Sequence, residues 1–169
     1  YQRQMDNLSS YASHLYLDAI KEIGFNGNEI PEFQKLNLKL RSLTGWKVHV
    51  VPEIVPILDF FTSLSKRDFP ATCWLRTNAE LDYIEEPDMF HDVFGHVPLL
   101  ANTHYADFME GFGKIALKWQ QYPEAMMLLG RIYWFTIEFG MLYENGMEKI
   151  FGSGIISSLG ETKHAISAG

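Results

Sequence analysis

The sequence is poor in cysteine and in basic residues. Cys73 is the only cysteine, and 14 Lys and Arg stand against 21 Asp and Glu in 169 residues, which gives a net charge of -7. A lone cysteine excludes an internal disulfide and suits a reducing cytoplasm, so a metal site would have to use histidine and carboxylate. The negative charge argues against nucleic acid or an anionic membrane surface as the main partner.

Long apolar runs and a secretion signal are also missing from the sequence. No stretch approaches the roughly 20 apolar residues that a membrane span needs. The opening YQRQMDNLSS lacks the basic-then-apolar order of a signal peptide. We therefore expect a cytoplasmic protein. Because 47% hydrophobic residues and 14% aromatics suffice for a core, we expect one domain over residues 1–169.

Hydrophobic periodicity predicts a mainly α-helical fold with a few short strands. Apolar residues recur at helical spacing over residues 5–23, 31–43, 56–64, 102–119 and 123–143. Alternation of apolar and polar residues predicts a short strand at 46–50. The apolar run 69–76 is interrupted by Pro70 and is typical of extended chain.

Two histidines form the first candidate metal-binding motif. His91 and His96 are five residues apart in EEPDMFHDVFGHVPLL. On an uninterrupted α-helix this spacing separates side chains by about 140°, so both reach one metal only where the helix bends or ends between them. Gly95 and Pro98 permit such a break. The zinc-protease pattern has a spacing of four and a Glu after the first histidine, which disfavours zinc hydrolysis here. A chance pair among six histidines is the alternative.

A carboxylate in an apolar helix supplies the second motif. Glu138 lies in RIYWFTIEFGMLY, where its neighbours at helical spacing are Trp134, Phe135, Met141 and Leu142. We expect that face to be buried, and a buried carboxylate is strongly unfavourable unless it is paired, protonated or bound to metal. Two imidazoles and one carboxylate form the ligand set of non-haem Fe(II) oxygenases. Pairing of Glu138 with a distant Arg or Lys is the alternative.

These motifs resemble the biopterin-dependent aromatic amino acid hydroxylases, most closely the bacterial phenylalanine 4-hydroxylases. The similarity lies in EEPDMFHDVFGHVPLL, RIYWFTIEFG and GSGIISSLGE, and extends to TGWKVHVVPEI and much of the N-terminal helix. The resemblance implies a helical catalytic core with a few short strands around an iron-containing cavity. It also implies a monomer, and a family domain that extends beyond residues 1–169 at both ends. The iron ligands that it implies are His91, His96 and Glu138.

The same resemblance implies the substrate-binding residues. Arg76 matches the arginine that binds the substrate carboxylate, a task that suits a guanidinium because it can donate two parallel hydrogen bonds. Ser157 matches the serine that assists it. The pocket for the aromatic ring would be formed by Pro87, Trp134, Phe139 and Gly154. Without the resemblance, Arg76 could equally form a surface ion pair, and Trp134 and Phe139 would be assigned to the core.

On the pterin side the resemblance implies three further residues. Phe60 matches the aromatic side chain that stacks on the bicyclic ring. Tyr133 matches another residue on the cofactor side. Asp92 stands where many animal members have a glutamate, which implies hydrogen bonding near the iron or the pterin.

The function implied by the resemblance is hydroxylation of L-phenylalanine to L-tyrosine with O2. Fe(II) and tetrahydrobiopterin, or a related tetrahydropterin that supplies two electrons, would be the cofactors, and small molecules would be the only partners. A tyrosine or tryptophan hydroxylase of the same family is an alternative, although Trp134 is bulky where tryptophan hydroxylases have a smaller aromatic. A catalytically silent, metal-binding helical fragment is the other alternative.

Overall fold

A computed structural model describes residues 1–167, most of which lie in helices. The α-helices are α1 (Gln2–Tyr11), α2 (His14–Ile23), α3 (Phe33–Leu43), α4 (Ile57–Leu64), α5 (Thr103–Trp119), α6 (Pro123–Tyr133), α7 (Ser153–Ser157) and α8 (Leu159–Ser167). Two π-helical segments, the first π-turn and the second π-turn, span His91–His96 and Trp134–Glu138. Short 3-10 helices occupy Asn78–Glu80 and Pro98–Ala101. Within this part of the chain, no helix is both long and apolar enough to cross a bilayer.

The strands form two small, separate sheets. In the first, β1 (Lys47–Val51) and β2 (Asp68–Thr72) pair in parallel, with Lys47 opposite Asp68. In the second, β3 (Met141–Glu144) and β4 (Met147–Ile150) form an antiparallel hairpin. Its turn residues Asn145 and Gly146 have φ angles of 53° and 80°, and Asn-Gly is a pair that favours positive φ at both positions. The predicted mainly α-helical fold with a few short strands is confirmed.

The buried core packs helices α1 to α5 against the first sheet and the first π-turn. Its largest fully buried side chains are Trp46, Tyr16, Phe61, Phe69, Leu8 and Leu40. Burial of one such side chain contributes about 1.5–3 kcal/mol. Close approach of α5 to α4 depends on Gly113, where a β-carbon would stand 2.5 Å from the backbone nitrogen of Ser65. This packing provides the frame that holds the first π-turn in place.

Residues 5–23 do not form the single helix that their periodicity predicts. Helix α1 ends at Tyr11, and α2 begins after Ser13, whose side chain accepts a hydrogen bond from the backbone N–H of Tyr16. Between the helices Ala12 forms a β-bridge with Ile150, and the N–H of Ser13 donates to the carbonyl oxygen of Ile150 at 2.8 Å. This contact with β4 interrupts the helix, so the prediction of one helix was wrong.

The helix predicted over residues 123–143 is also shorter than expected. Helix α6 ends at Tyr133, the second π-turn continues to Glu138, and Met141–Glu144 form β3. Gly140 marks the exit from the helical segment, because a β-carbon there would stand 2.1 Å from the carbonyl oxygen of Thr136. Pairing with β4 then satisfies the backbone groups of the chain beyond that point.

Candidate metal centre

The first π-turn brings His91 and His96 to the same side of the helix. Hydrogen bonds in a π-helix span five residues, so residues five apart lie about one turn above each other. The two Nε2 atoms are 3.1 Å apart. The helix thus widens between the two histidines, and the predicted bend or end between them was wrong. Gly95 instead allows close packing against α7, because a β-carbon there would stand 3.0 Å from the carbonyl oxygen of Ser153.

The second π-turn places a carboxylate against these two imidazoles. Glu138 is the last residue of this turn and is 9% exposed. Its Oε1 lies 3.1 Å from Nε2 of His96, and its Oε2 lies 3.5 Å from Nε2 of His91. The structure therefore brings together the three side chains that the sequence predicts as metal ligands.

The geometry of the three side chains fits a single metal ion. One ligand atom from each lies within 4.8 Å of the others. If two ligand atoms each lie about 2.1 Å from one metal ion and the angle between the two bonds is a right angle, the atoms are about 3.0 Å apart. The observed separations of 3.1 and 3.5 Å are close to that value. Two imidazole nitrogens and one carboxylate are also a donor set that Fe(II) accepts with positions left open.

The two imidazole rings are oriented in different ways. Nδ1 of His91 lies 2.8 Å from the hydroxyl oxygen of Ser157, which directs Nε2 toward the centre. Nδ1 of His96 is buried and has no hydrogen-bond partner among residues 1–167. The ring of His96 instead packs against Phe69 and Tyr133, with centroid distances of 5.0 and 6.4 Å. A hydrogen bond orients the first histidine, and aromatic packing orients the second.

Burial is the largest influence on the pKa values of all three groups. It lowers the pKa of His91 and so favours the neutral imidazole, the form that can donate a lone pair to a metal. Burial alone would raise the pKa of Glu138, but the two neighbouring histidines outweigh it and lower this pKa below its ordinary value. Burial alone would lower the pKa of His96, but the charge and the hydrogen bond of Glu138, together with the charge of Asp92, outweigh it and raise this pKa. The carboxylate is therefore ionised at neutral pH.

Arg76 forms a buried ion pair with Asp88. Its Nε and Nη2 donate to the two carboxylate oxygens of Asp88 at 3.0 and 2.7 Å, and the two side chains are 5% and 0% exposed. Asp88 also accepts hydrogen bonds from the backbone N–H groups of Arg76 and His91. The alternative of a surface ion pair for Arg76 was therefore wrong. The pair joins Arg76 to the backbone of a candidate metal ligand.

The guanidinium of Arg76 keeps donors free for a ligand. Its third hydrogen bond goes from Nη1 to the carbonyl oxygen of Ser157 at 2.8 Å. A guanidinium carries five N–H groups, so one N–H on each terminal nitrogen has no partner among the described residues. The side chain is held rigidly while two donors stay available.

The predicted wall of the substrate pocket is only partly buried. Trp134 and Phe139 lie side by side with ring centroids 4.7 Å apart, but Trp134 is 55% exposed and Phe135 is 70% exposed. The expectation that this whole face of the helix is buried was therefore wrong. Gly154 lies next to Phe139, where a β-carbon would stand 3.2 Å from the ring. Pro87 is half-buried, next to Asp88 in the chain.

Two of the three residues predicted on the pterin side, Tyr133 and Asp92, lie near His96, and the third, Phe60, packs against Tyr133. Phe60 meets Tyr133 edge to face with ring centroids 5.4 Å apart. The hydroxyl of Tyr133 is buried and has no hydrogen-bond partner in the described part of the chain. Asp92 is buried, and its Oδ2 accepts hydrogen bonds from the backbone N–H and the hydroxyl of Thr72 at 2.7 and 2.8 Å. One oxygen of Asp92 is therefore held by the end of β2.

Two residues near the centre are absent from the sequence-based prediction. Asp88 holds both Arg76 and the N–H of His91, and Thr72 holds Asp92. A signal for Asp88 does exist, because an acidic residue directly before the first helical residue, here Met89, is typical of an N-cap that accepts a backbone N–H two or three positions further on. Thr72 offers no comparable signal, since its contact depends on the packing of β2 against the first π-turn.

Comparison with known proteins assigns the chain to a family. Residues 2–169 match the family model of the biopterin-dependent aromatic amino acid hydroxylases, so the chain belongs to this family, as its three motifs predict. The phenylalanine-4-hydroxylase of Chromobacterium violaceum is 41% identical over 168 residues, which cover 99% of this chain and 56% of that protein. The phenylalanine-4-hydroxylase of Mesorhizobium japonicum is 44% identical over 170 residues, which cover 97% of this chain and 59% of that protein. The chain thus spans somewhat more than half the length of these relatives.

A solved structure shares the fold. The crystal structure of the Chromobacterium violaceum phenylalanine hydroxylase with bound iron(III) and the oxidized cofactor 7,8-dihydrobiopterin matches with a TM-score of 0.93 and 42% sequence identity. The match covers 98% of this chain and 60% of that chain. The helical architecture of residues 1–167 is therefore that of the family's phenylalanine hydroxylases.

Proposed function

We propose that this protein is a non-haem iron, tetrahydropterin-dependent monooxygenase that hydroxylates L-phenylalanine to L-tyrosine with O2. The observation that carries the proposal is the convergence of His91, His96 and Glu138 from two π-turns onto one buried point. Family membership supports the pterin as cofactor. The similarity to phenylalanine-4-hydroxylases supports phenylalanine as substrate.

The metal-holding residues are proposed to be His91, His96 and Glu138. Bound Fe(II) and tetrahydropterin would together supply O2 activation and the two electrons that reduce the second oxygen atom to water. Ser157 holds the ring of His91 so that its Nε2 points at the centre. The ionised Glu138 would offset positive charge there, and the burial of His96 and Glu138 would limit the access of water to the reacting atoms.

The substrate carboxylate is proposed to bind Arg76. The two free N–H groups of the guanidinium suit a carboxylate, and the hydrogen bonds to Asp88 and Ser157 hold the donors in place before the substrate arrives. The side chain of phenylalanine would then lie against an aromatic and apolar wall that aims the para carbon at the metal. We assign this wall to Pro87, Trp134, Phe139 and Gly154.

The pterin is proposed to bind on the side of His96 that faces Phe60, Tyr133 and Asp92. Phe60 is half-buried and offers a flat face for a bicyclic ring. The hydroxyl of Tyr133 and the second carboxylate oxygen of Asp92 are polar atoms available to a ring that carries hydrogen-bonding groups. Thr72 fixes one oxygen of the Asp92 carboxylate with two hydrogen bonds.

We place the protein in the cytoplasm, working as a monomer on small molecules. The exposed, free thiol of Cys73 suits a reducing compartment. The negative net charge of -7 disfavours nucleic acid and anionic membranes as partners. The monomeric state follows the resemblance to bacterial members, and sedimentation equilibrium would test it.

The proposal is tested by metal binding followed by turnover. In an anaerobic Fe(II) titration, we expect one iron per chain in the wild type and none in His91→Ala or Glu138→Ala. His104→Ala is the matched control, because His104 is exposed and outside the site. The iron-loaded wild type should then consume O2 and form tyrosine only when both tetrahydropterin and phenylalanine are present. Retention of one iron in both ligand variants would refute the assignment.

A metal-binding unit without turnover is the second candidate function. The observation that favours it is the exposure of Trp134, which leaves the proposed substrate wall open in residues 1–167. Iron binding without pterin-dependent O2 uptake would support this candidate. Product analysis with phenylalanine, tyrosine and tryptophan would separate the proposed activity from the other hydroxylase activities of the family.

A further inference from the structure

A cavity of about 540 Å³ lies on the side of the first π-turn that is away from the candidate metal centre. One wall consists of Met89, Phe90, Val93 and Phe94, which alternate along the chain with residues of the site. The other wall is formed by the end of α2, the loop after it and the first half of α3. Small-molecule sites commonly have volumes of about 300–1,000 Å³. None of the residues assigned above to metal, substrate or pterin lines this cavity.

The inner surface of the cavity is aromatic. Phe90 and Phe94 stack with ring centroids 4.6 Å apart and an interplanar angle of 13°. Tyr1 meets Phe94 edge to face at 5.5 Å, and its hydroxyl donates a hydrogen bond to the carbonyl oxygen of Phe25 at 2.8 Å. Phe33, half-buried at the start of α3, lines the cavity as well. Because Phe90 and Phe94 stack on each other and Arg76 lies over Phe90, the edges of these two rings, together with Phe33, are the aromatic surface left for a planar ring.

Four charged side chains line the cavity, two of them acidic (Glu29 and Glu32) and two basic (Lys35 and Lys39). Lys35 pairs with Glu32 at 2.7 Å, but Lys39, one helical turn further on, forms no ion pair with a residue that the structure describes. Nζ of Lys39 lies over the end of α2, 3.9 Å from where a β-carbon on Gly24 would be. The negative end of the α2 dipole compensates part of this charge. A carboxylate on the ligand would neutralise the remaining charge of Lys39 through charge-assisted hydrogen bonds.

We propose that this cavity binds a planar aromatic monocarboxylic acid, with its ring against Phe90 and Phe94 and its carboxylate on Lys39. The site is separate from the proposed hydroxylase site and does not depend on it. The two sites are neighbours, because the guanidinium of Arg76 lies 4.9 Å from the ring centroid of Phe90, which lines the cavity. A ligand in the cavity would therefore lie one aromatic ring away from the residue proposed to bind the substrate carboxylate.

Isothermal titration calorimetry with 2-naphthoate tests the proposal on the full chain. We expect one molecule to bind per chain. Lys39→Gln should weaken the binding of 2-naphthoate about tenfold, the loss expected for one charge-assisted hydrogen bond, and it should leave the neutral 2-naphthalenemethanol unaffected. Phe33→Ala should weaken both compounds, because it removes part of the aromatic wall.

Two control variants make the experiment specific to this cavity. Lys163→Gln removes a charge from an exposed position on α8, and Phe108→Ala removes an exposed aromatic next to a different cleft. Both should bind 2-naphthoate as the wild type does. The proposal is overturned if binding does not saturate, if Lys39→Gln binds 2-naphthoate as tightly as the wild type, or if Phe108→Ala abolishes binding. Since Lys39 is remote from the metal ligands, failure here would leave the Fe(II) titration unchanged.

Discussion

Replacement of Asp88 by asparagine should destabilise the protein by about 3–5 kcal/mol, the usual cost of breaking a buried ion pair. Asp88 is fully buried and accepts four hydrogen bonds, three from Arg76 and one from the backbone N–H of His91. Asparagine keeps the size of the side chain but removes its charge. The guanidinium of Arg76, 5% exposed, then lacks a counter-ion.

Urea denaturation followed by circular dichroism measures this loss. Because a domain is typically stable by about 5–15 kcal/mol in total, the expected change is a large shift of the unfolding midpoint. Asp18→Asn is the matched control: Asp18 lies 3.8 Å from Lys21 at a position that is 74% exposed, and we expect no measurable loss there. A loss below about 1 kcal/mol in Asp88→Asn would refute the reasoning, since it falls in the range of surface pairs.

The pH dependence of the same difference provides a second check. Burial alone would raise the pKa of Asp88, but the hydrogen bonds from Arg76 and from the N–H of His91 outweigh it and lower this pKa. A carboxyl group whose pKa is lowered on folding contributes stability above its unfolded pKa of about 3.9 and loses it as the pH falls through the folded value. The difference in the free energy of unfolding between wild type and Asp88→Asn should thus be constant near neutral pH and should shrink below about pH 4. A difference that changed between pH 6 and 8 would indicate a histidine instead.

Three further substitutions test the surroundings of the site. Arg76→Lys keeps the charge but loses the planar pair of donors, so the apparent KM for phenylalanine should rise about tenfold or more. The iron stoichiometry should stay the same. An unchanged KM would contradict the role of Arg76. Thr72→Val removes one hydrogen bond to Asp92, whereas Thr72→Ser retains it. The affinity for a dihydropterin should therefore fall about fivefold in the valine variant alone. Fluorescence quenching measures this affinity. Equal affinities in both would exclude Asp92 from the pterin side. Gln4→Leu removes a buried donor to a backbone carbonyl and a hydroxyl oxygen, which should cost about 1–3 kcal/mol in urea denaturation, whereas exposed Gln2→Leu should cost nothing measurable.

The three candidate ligands could be predicted from the sequence because residue chemistry restricts the choices. A glutamate among apolar neighbours at helical spacing needs a partner, and Glu138 is indeed buried against His91 and His96. The positions of most helices follow from hydrophobic periodicity for a similar reason, since each helix buries one face. Both predictions depend on features that lie within one short segment.

Features that depend on contacts between distant segments could not be predicted in this way. The ion pair of Arg76 with Asp88 forms because the loop before the first π-turn folds back onto the end of β2, and periodicity does not encode that return. The exposure of Trp134 depends on which segments pack against the second π-turn, and the local apolar pattern does not specify them. The break between α1 and α2 is caused by Ile150, far away in sequence.

The spacing of His91 and His96 predicts two candidate ligands of one metal, but the predicted bend or end of the helix between them was wrong. Over six residues, α- and π-helices share the same apolar pattern, so the sequence alone does not separate them. At the first π-turn a tertiary contact accompanies the wider turn, because the hydroxyl of Ser153 donates to the carbonyl oxygen of Gly95 at 3.1 Å. The second is closed by its own hydrogen bond, from the N–H of Phe139 to the carbonyl oxygen of Trp134 five residues earlier, at 3.0 Å. The wider turn aligns residues five apart, which an α-helix would separate by about 140°. Two metal ligands at a spacing of five, in a segment that otherwise continues as helix, therefore indicate a π-turn as readily as a helix end.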